Sequence, residues 1–260
     1  MKKNIIFIII SVLVLIICAW LIIQAVMAKT VEVKNPIVTL EVENYGEIKI
    51  ELYPEYAPNT VKNIIKLAEN GYYDGKVLYG TDEISVYVGR NLEGEIDYPK
   101  LSTLDKEVKT EDDYEYEIPG EFIANGFENN TLRHEKGIVS MVRADYTQTL
   151  GNSLLSQSYN SASSQFTILT KNSRNLNGIY AAFGKVTEGM EIVEKIYGLE
   201  KDTTENSENS SIEKFATMPI IKKATVETFG TNYGFPDVNE AFDYEGYLNQ
   251  VFSQYNNIGQ

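Results

Sequence analysis

The stretch that most constrains this chain runs from Ser163 to Val186, SSQFTILTKNSRNLNGIYAAFGKV. An apolar run holding Phe166, Ile168 and Leu169 meets a polar turn with Asn177-Gly178, and a second apolar run follows from Ile179 to Phe183. Two short β-prone runs about an Asn-Gly turn predict a hairpin. The same pattern recurs near the start of the chain. Val38, Leu40 and Val42 alternate with polar residues, as do Ile48, Ile50 and Leu52, with Asn44-Tyr45-Gly46 between them. That alternation predicts an antiparallel pair with one buried face.

Helices are fewer. Pro54 and Pro58 break the second strand, and Asn59 or Thr60 is placed to cap a helix striped with Val61, Ile64, Ile65 and Ala68 that stops at Asn70-Gly71. A second helix is predicted over Thr187 to Tyr197, with Met190, Val193 and Ile196 inward and Gly198 closing it. The segments between are short, β-rich and punctuated by glycine, which suits a closed antiparallel barrel with helices at its ends. The fold class expected is therefore mainly β with two helices.

Residues 1–28 open with Met1-Lys2-Lys3 and then run almost purely apolar from Ile5 to Ile23. About twenty residues at ~1.5 Å each span the ~30 Å hydrocarbon core, which predicts a transmembrane helix. The lysines ahead of it favour a cytoplasmic N-terminus, a single pass in the cell membrane and an extracytoplasmic domain. A signal cleaved near Ala28, giving a secreted protein, is the alternative. The length of the run favours the anchor, since secretory signals carry ~7–15 apolar residues. Residues 29–36 read as a linker, 37–228 as the main domain and 229–260 as an aromatic C-terminal extension. That extension holds Phe235, Phe242, Tyr244, Tyr247, Leu248, Phe252 and Tyr255, too many large side chains for plain disorder. Packing on its own barrel, docking to a partner and a flexible tail all stand as readings of it.

The string Ser-Gln-Phe, then Leu-Asn-Gly, then Ala-Phe-Gly-Lys-Val in 163–186 is more specific than a hairpin needs. It resembles the C-terminal half of the cyclophilin-type peptidyl-prolyl cis-trans isomerase domain. Further segments match in the same order: GEIKIELYPEYAPNTVKNIIKLAENGYYDG (46–75), YEIPGEF (116–122), HEKGIVSMVRA (134–144) and MPIIKKATVET (218–228). The resemblance covers roughly 37–228 and implies a closed cyclophilin barrel, no cofactor, and proline-containing or unfolded polypeptide segments as partners. Relative to the family, Leu92 to Tyr114, Asp145 to Ser161 and Lys201 to Ser211 look inserted.

Prolyl isomerisation crosses a barrier of ~18–20 kcal/mol set by the amide's partial double bond. A catalyst holds the proline in an apolar pocket and donates a hydrogen bond to the amide nitrogen as it turns pyramidal. The resemblance implies an arginine for that donor, within a Phe-His-Arg string. Here the matching string is Val77-Leu78-Tyr79-Gly80, so Gly80 occupies the arginine position. The same alignment implies a substrate-binding set of Gln165, Phe166, Thr167, Met141, Leu176, Tyr180 and Val86, with threonine at 167 in place of an aromatic floor. Arg143 and Arg90 are the candidate substitute donors. A hydrogen bond to a charged group is worth ~1.5–3 kcal/mol, and ~1.36 kcal/mol is tenfold in rate. Loss of the arginine without a substitute is expected to cost on the order of tenfold to a hundredfold. Two functions follow: an extracytoplasmic isomerase of weakened catalysis that assists exported proteins, or an inactive cyclophilin-fold peptide- or protein-binding module.

Other chemistries are excluded more simply. The formal net charge of −14 argues against nucleic acid. One histidine and one cysteine leave too few ligands for most zinc sites. No nucleophile elbow, phosphate-binding loop or dinucleotide fingerprint occurs. His134 reads as a turn or hydrogen-bonding residue, and Asp112-Asp113 as a solvated face.

Overall fold

A computed structural model describes residues 10–23, 34–203 and 211–258, with side chains in the last helix through 254. The chain divides into two compact units, Met1–Lys34 and Asn35–Gln260. In the first, residues 10–23 form a helix, α1. Among the described residues no helix is long and apolar enough to cross a membrane. The rest of the expected span, 1–9 and 24–28, lies outside them.

The second unit is built on a nine-stranded antiparallel sheet: β1 (Ile37–Val42), β2 (Gly46–Leu52), β3 (Val77–Thr81), β4 (Ser85–Arg90), β6 (Ile138–Met141), β7 (Phe166–Leu169), β8 (Ala182–Glu188), β9 (Glu213–Lys214) and β10 (Ile221–Glu227). Its order, β10-β1-β2-β8-β6-β7-β4-β3-β9, has two free ends, so the sheet is a half-barrel and not the closed barrel expected. The reason is visible at its seam. One isolated bridge, Val77 to Ile220, links β3 to the residue ahead of β10, and β9 takes the remaining edge of β3 at Gly80 and Thr81.

The first hairpin forms as alternation predicts, with Leu40 opposite Ile48 and Val38 opposite Ile50. Asn44 and Gly46 take the positive φ values of 63° and 118° that its tight turn requires. The hairpin expected at Asn177-Gly178 does not form. β7 and β8 both pair with β6, which comes between them. The intervening residues instead make a 3₁₀ turn at Arg174–Leu176. A local turn signal fixes a reversal but not which strand the returning chain meets.

Six further helices are described in all, not two: α2 (Pro58–Glu69), α3 (Leu101–Leu104), α4 (Thr147–Leu150), α5 (Leu155–Tyr159), α6 (Met190–Tyr197) and α7 (Tyr244–Ile258). The short ones lie in the segments that looked inserted. α2 buries the predicted stripe of Val61, Ile64, Ile65 and Ala68. Its cap differs from expectation: Asn59 and Thr60 lie inside the helix, and neither side chain caps it. Instead the buried carboxylate of Glu121 accepts from the backbone N–H of Asn59 at 2.9 Å and of Thr60 at 2.7 Å, and from the Thr60 hydroxyl at 2.7 Å. α6 starts three residues later than predicted because β8 continues through Glu188. Gly189 then turns at φ 86°, with Glu47 O only 2.3 Å from where a Cβ would stand.

The C-terminal extension packs on this unit. β11 (Asn239–Glu240) pairs with β5 (Tyr116–Glu117), and Asn59 exchanges hydrogen bonds with the backbone of Asp237 at 2.9 and 2.6 Å.

Candidate functional site

One cross-strand row organises the pocket. Lys214 of β9 faces Gly80, Gly80 faces Tyr87 of β4, Tyr87 faces Thr167 of β7, and Thr167 faces Ser140 of β6. Side chains opposite one another on an antiparallel pair project to the same face. Around Thr167 this row forms a pocket of about 320 Å³, walled by Tyr87, Ser140, Met141, Arg143, Leu176 and Tyr180, with Asp82, Ile84, Ser211 and Ile212 at its border.

Five of the sequence-derived residues, Met141, Arg143, Thr167, Leu176 and Tyr180, thus come together. Val86 and Phe166 do not. Val86 is fully buried opposite Ile168 and Thr81, on the other face of β4. Phe166 is 2% exposed and sits edge-on to Tyr73 and Phe183, at 5.8 and 6.0 Å between ring centres. Both are core residues because strand alternation turns them inward. The pocket wall on β4 is Tyr87, which sequence reasoning missed. The signal was present: Val86 and Val88 share one face, so the residue between them takes the other.

Gly80 is buried, and its missing side chain has no room. A Cβ would stand 2.6 Å from Glu213 O and 2.9 Å from Ile212 Cγ2. The segment running into β9 fills the space beside β3.

The two candidate arginines differ in place. Arg90 lies with its guanidinium carbon 4.1 Å from the Tyr79 ring centre. Its Nε donates to Gln165 Oε1 at 3.2 Å and its Nη1 to Gly94 O at 3.1 Å. Gln165 is thereby held by Arg90 and does not line the pocket. Burial pushes the Tyr79 hydroxyl up to about 12, with Arg90 opposing. Arg143 is on the pocket wall itself. Its guanidinium lies over Tyr180 at 4.6 Å and Tyr159 at 5.0 Å, and its Nε makes one long hydrogen bond, 3.4 Å to Ile179 O.

His134 supports the pocket floor from behind. Its backbone N–H and its Nδ1 both meet Asn177 Oδ1, at 2.8 and 3.2 Å. A carbonyl oxygen only accepts, so Nδ1 carries the proton and Nε2 accepts from the Ser140 hydroxyl at 2.9 Å. Burial holds the imidazole below its ordinary pKa and keeps it neutral. Asp82 pins the other rim, accepting from the N–H of Ile84 and Ser85 at 2.9 and 2.7 Å and from the Tyr87 hydroxyl at 3.0 Å.

An antiparallel half-barrel with several helices, carrying a small pocket of mixed polarity on β4, β6, β7 and the 174–180 turn, is the architecture of a cyclophilin-like domain. Residues 37–217 match the family described as cyclophilin type peptidyl-prolyl cis-trans isomerase/CLD, and the chain belongs to that family. It is similar to peptidyl-prolyl cis-trans isomerase B of Bacillus subtilis, 31% identical over 154 residues that make up 59% of this chain and 85% of that protein. It is also similar to peptidyl-prolyl cis-trans isomerase CYP23 of Arabidopsis thaliana, 31% identical over 153 residues, 59% of this chain and 57% of that one. A solved cyclophilin type isomerase of Cryptosporidium parvum, determined in the presence of the dipeptide Ala-Pro, shares the fold with a TM-score of 0.54. It is 22% identical, with 75% of this chain and 99% of that one covered.

Proposed function

We propose that this chain is a peptidyl-prolyl cis-trans isomerase of weakened catalytic power, which seats proline-containing or unfolded segments in the pocket around Thr167. The observation that carries this reading is the Arg143 guanidinium on the pocket wall, while position 80 has no side chain to donate. A guanidinium has five N–H donors, and among the described residues only the Nε of Arg143 has a protein acceptor, at 3.4 Å. Stacking on Tyr180 orients the remaining donors without engaging them. Arg143 is thus equipped to donate to the amide nitrogen of a bound prolyl peptide. Leu176 and Tyr180 supply the apolar contact for the ring. Arg90 has spent two of its donors on Gln165 and Gly94, and it serves to hold Gln165.

A protease-coupled isomerisation assay on the full-length chain tests this. The expected result is a rate above the uncatalysed one that disappears in Arg143→Ala. A flat trace for the unaltered chain overturns it. The second reading, a peptide-binding module without turnover, draws on Ile212 and Glu213 filling the flank of Gly80. A flat trace together with measurable peptide affinity selects that reading.

The proposal extends to place. Lys2 and Lys3 ahead of the apolar run from Ile5 to Ile23 support a membrane-anchored chain with its domain outside the cytoplasm, serving exported proteins. Protease added to intact cells should then degrade the domain; a protected domain removes this part of the reading.

A further inference from the structure

The C-terminal extension builds a second cleft against the 92–117 region. Pairing of β11 with β5 lays Glu240 beside Tyr116 and brings Phe242 and Tyr244 onto the loop that carries Tyr146. The cleft has a volume of about 650 Å³ and is walled by the rings of Tyr98, Tyr114, Tyr146, Phe242 and Tyr244. Tyr146 and Tyr244 stack with centres 4.8 Å apart and planes at 22°, and Phe242 stands edge-on to Tyr146 at 5.3 Å. A hydrogen bond of 2.8 Å between the Tyr244 hydroxyl and Thr149 Oγ1 fixes that stack.

The charged residues of the lining are all acidic, although Arg90 stands close enough to act on Tyr98 and Lys100 bridges Glu115 from outside it. Glu115, Glu240, Asp243 and Glu245 are exposed on the lining, and no lysine or arginine is among the lining residues. Aromatic faces attract cations through their quadrupole, and carboxylates add the opposite charge. The carboxylates also select between cations. They accept hydrogen bonds, which a quaternary ammonium has no N–H to donate, so a protonated amine or guanidinium matches both parts of the lining. Among the described residues no group of three or more acidic, histidine or cysteine side chains converges as a metal site.

The cleft also stands near the pocket. Arg143 lines the pocket and Tyr146 lines the cleft, three residues further along one loop. Three residues reach at most ~10 Å, so the two linings approach within a distance that a few residues of extended polypeptide span.

We propose that this cleft binds the lysine or arginine side chain of a polypeptide whose proline lies a few residues away in the pocket. The cation site stands on the cleft alone, while the spacing to proline rests on the isomerase reading above. Binding to the full-length chain is measured by fluorescence anisotropy at low salt with a labelled peptide carrying lysine three residues from proline, and with its norleucine counterpart. The lysine peptide is expected to bind about tenfold more tightly. Glu240→Gln/Glu245→Gln removes most of that factor. Glu191→Gln/Glu227→Gln, which changes net charge equally on α6 and β10, leaves it intact. Equal affinities for the two peptides, equal losses in the two double variants, or trimethyllysine bound as tightly as lysine each overturns the proposal. A lysine preference that persists on a peptide without proline, with proline adding nothing, upholds the cation site and overturns the pocket reading, which separates the two failures.

Discussion

The carbonyl oxygen of Glu213 lies 2.6 Å from the point where a Cβ on Gly80 would stand. No conformational demand of the backbone explains this glycine, since its φ is not in the left-handed region. It is the approach of β9 that excludes a side chain, and an interior at native density has no slack to admit one. Gly80→Arg is therefore expected to destabilise the domain by about 1–3 kcal/mol and to leave the isomerisation rate no higher. A stable Gly80→Arg chain with raised activity would show that Ile212 and Glu213 withdraw freely.

Arg143 carries the catalytic expectation. Its replacement by alanine should lower kcat/KM by about ten- to a hundredfold, the loss of one charged hydrogen bond. Arg143→Lys should restore little, because an ammonium does not stack its donors over Tyr180. Arg90→Ala should lower the rate by less than about threefold, a loss well below that of a charged donor. Comparison of the three variants in the coupled assay checks this, and a larger loss in Arg90→Ala would move the donor role to Arg90.

Glu121 is a test of the scaffold. Its carboxylate receives the first N–H groups of α2 and the Thr60 hydroxyl. Glu121→Ala leaves those donors without their acceptor in a buried site and should cost about 2–4 kcal/mol. Thermal or urea unfolding measures it, and a loss below about 0.5 kcal/mol would mean the helix finds another cap.

Glu117 sets a pH dependence of stability. Burial raises its carboxyl to about 7, opposed by the Phe242 N–H and the Tyr146 hydroxyl. The folded state then holds a proton that the unfolded chain, with an ordinary carboxyl near 4.5, has lost. This contribution is present below about pH 4.5 and is lost as pH rises through about 7. Glu117→Gln keeps an acceptor oxygen without the charge. It should match the parent near pH 4.5 and exceed it at pH 8 by on the order of 2 kcal/mol. Parallel melting curves across that range would sink the assignment.

Much of the fold is legible in the residues. Alternation in 37–42 and 46–52 gives the first hairpin with its buried face, and the Val61, Ile64, Ile65 and Ala68 stripe gives α2. The pocket is legible in part. Met141, Thr167, Leu176 and Tyr180 follow from the matched strings, but Tyr87 does not, because the match by position put the apolar Val86 on the pocket while alternation along β4 turns Tyr87 to it. Ser211, at the end of the segment that looks inserted, and the adjoining Ile212 reach the pocket border unannounced, since nothing local in a polar segment tells that its end will dock on a distant strand.

What the amino-acid order determined by itself is local: which stretches alternate, where the chain turns, and that position 80 has no side chain to donate a hydrogen bond. Only the tertiary structure decided that β7 and β8 are parted by β6, that Glu121 caps a helix some sixty residues before it, and that β9 stands where an arginine would need room. The reason is physical. Periodicity and turn chemistry act over a few bonds, whereas pairing partners and helix caps are selected by the burial of surfaces that meet only after the whole sheet has curled.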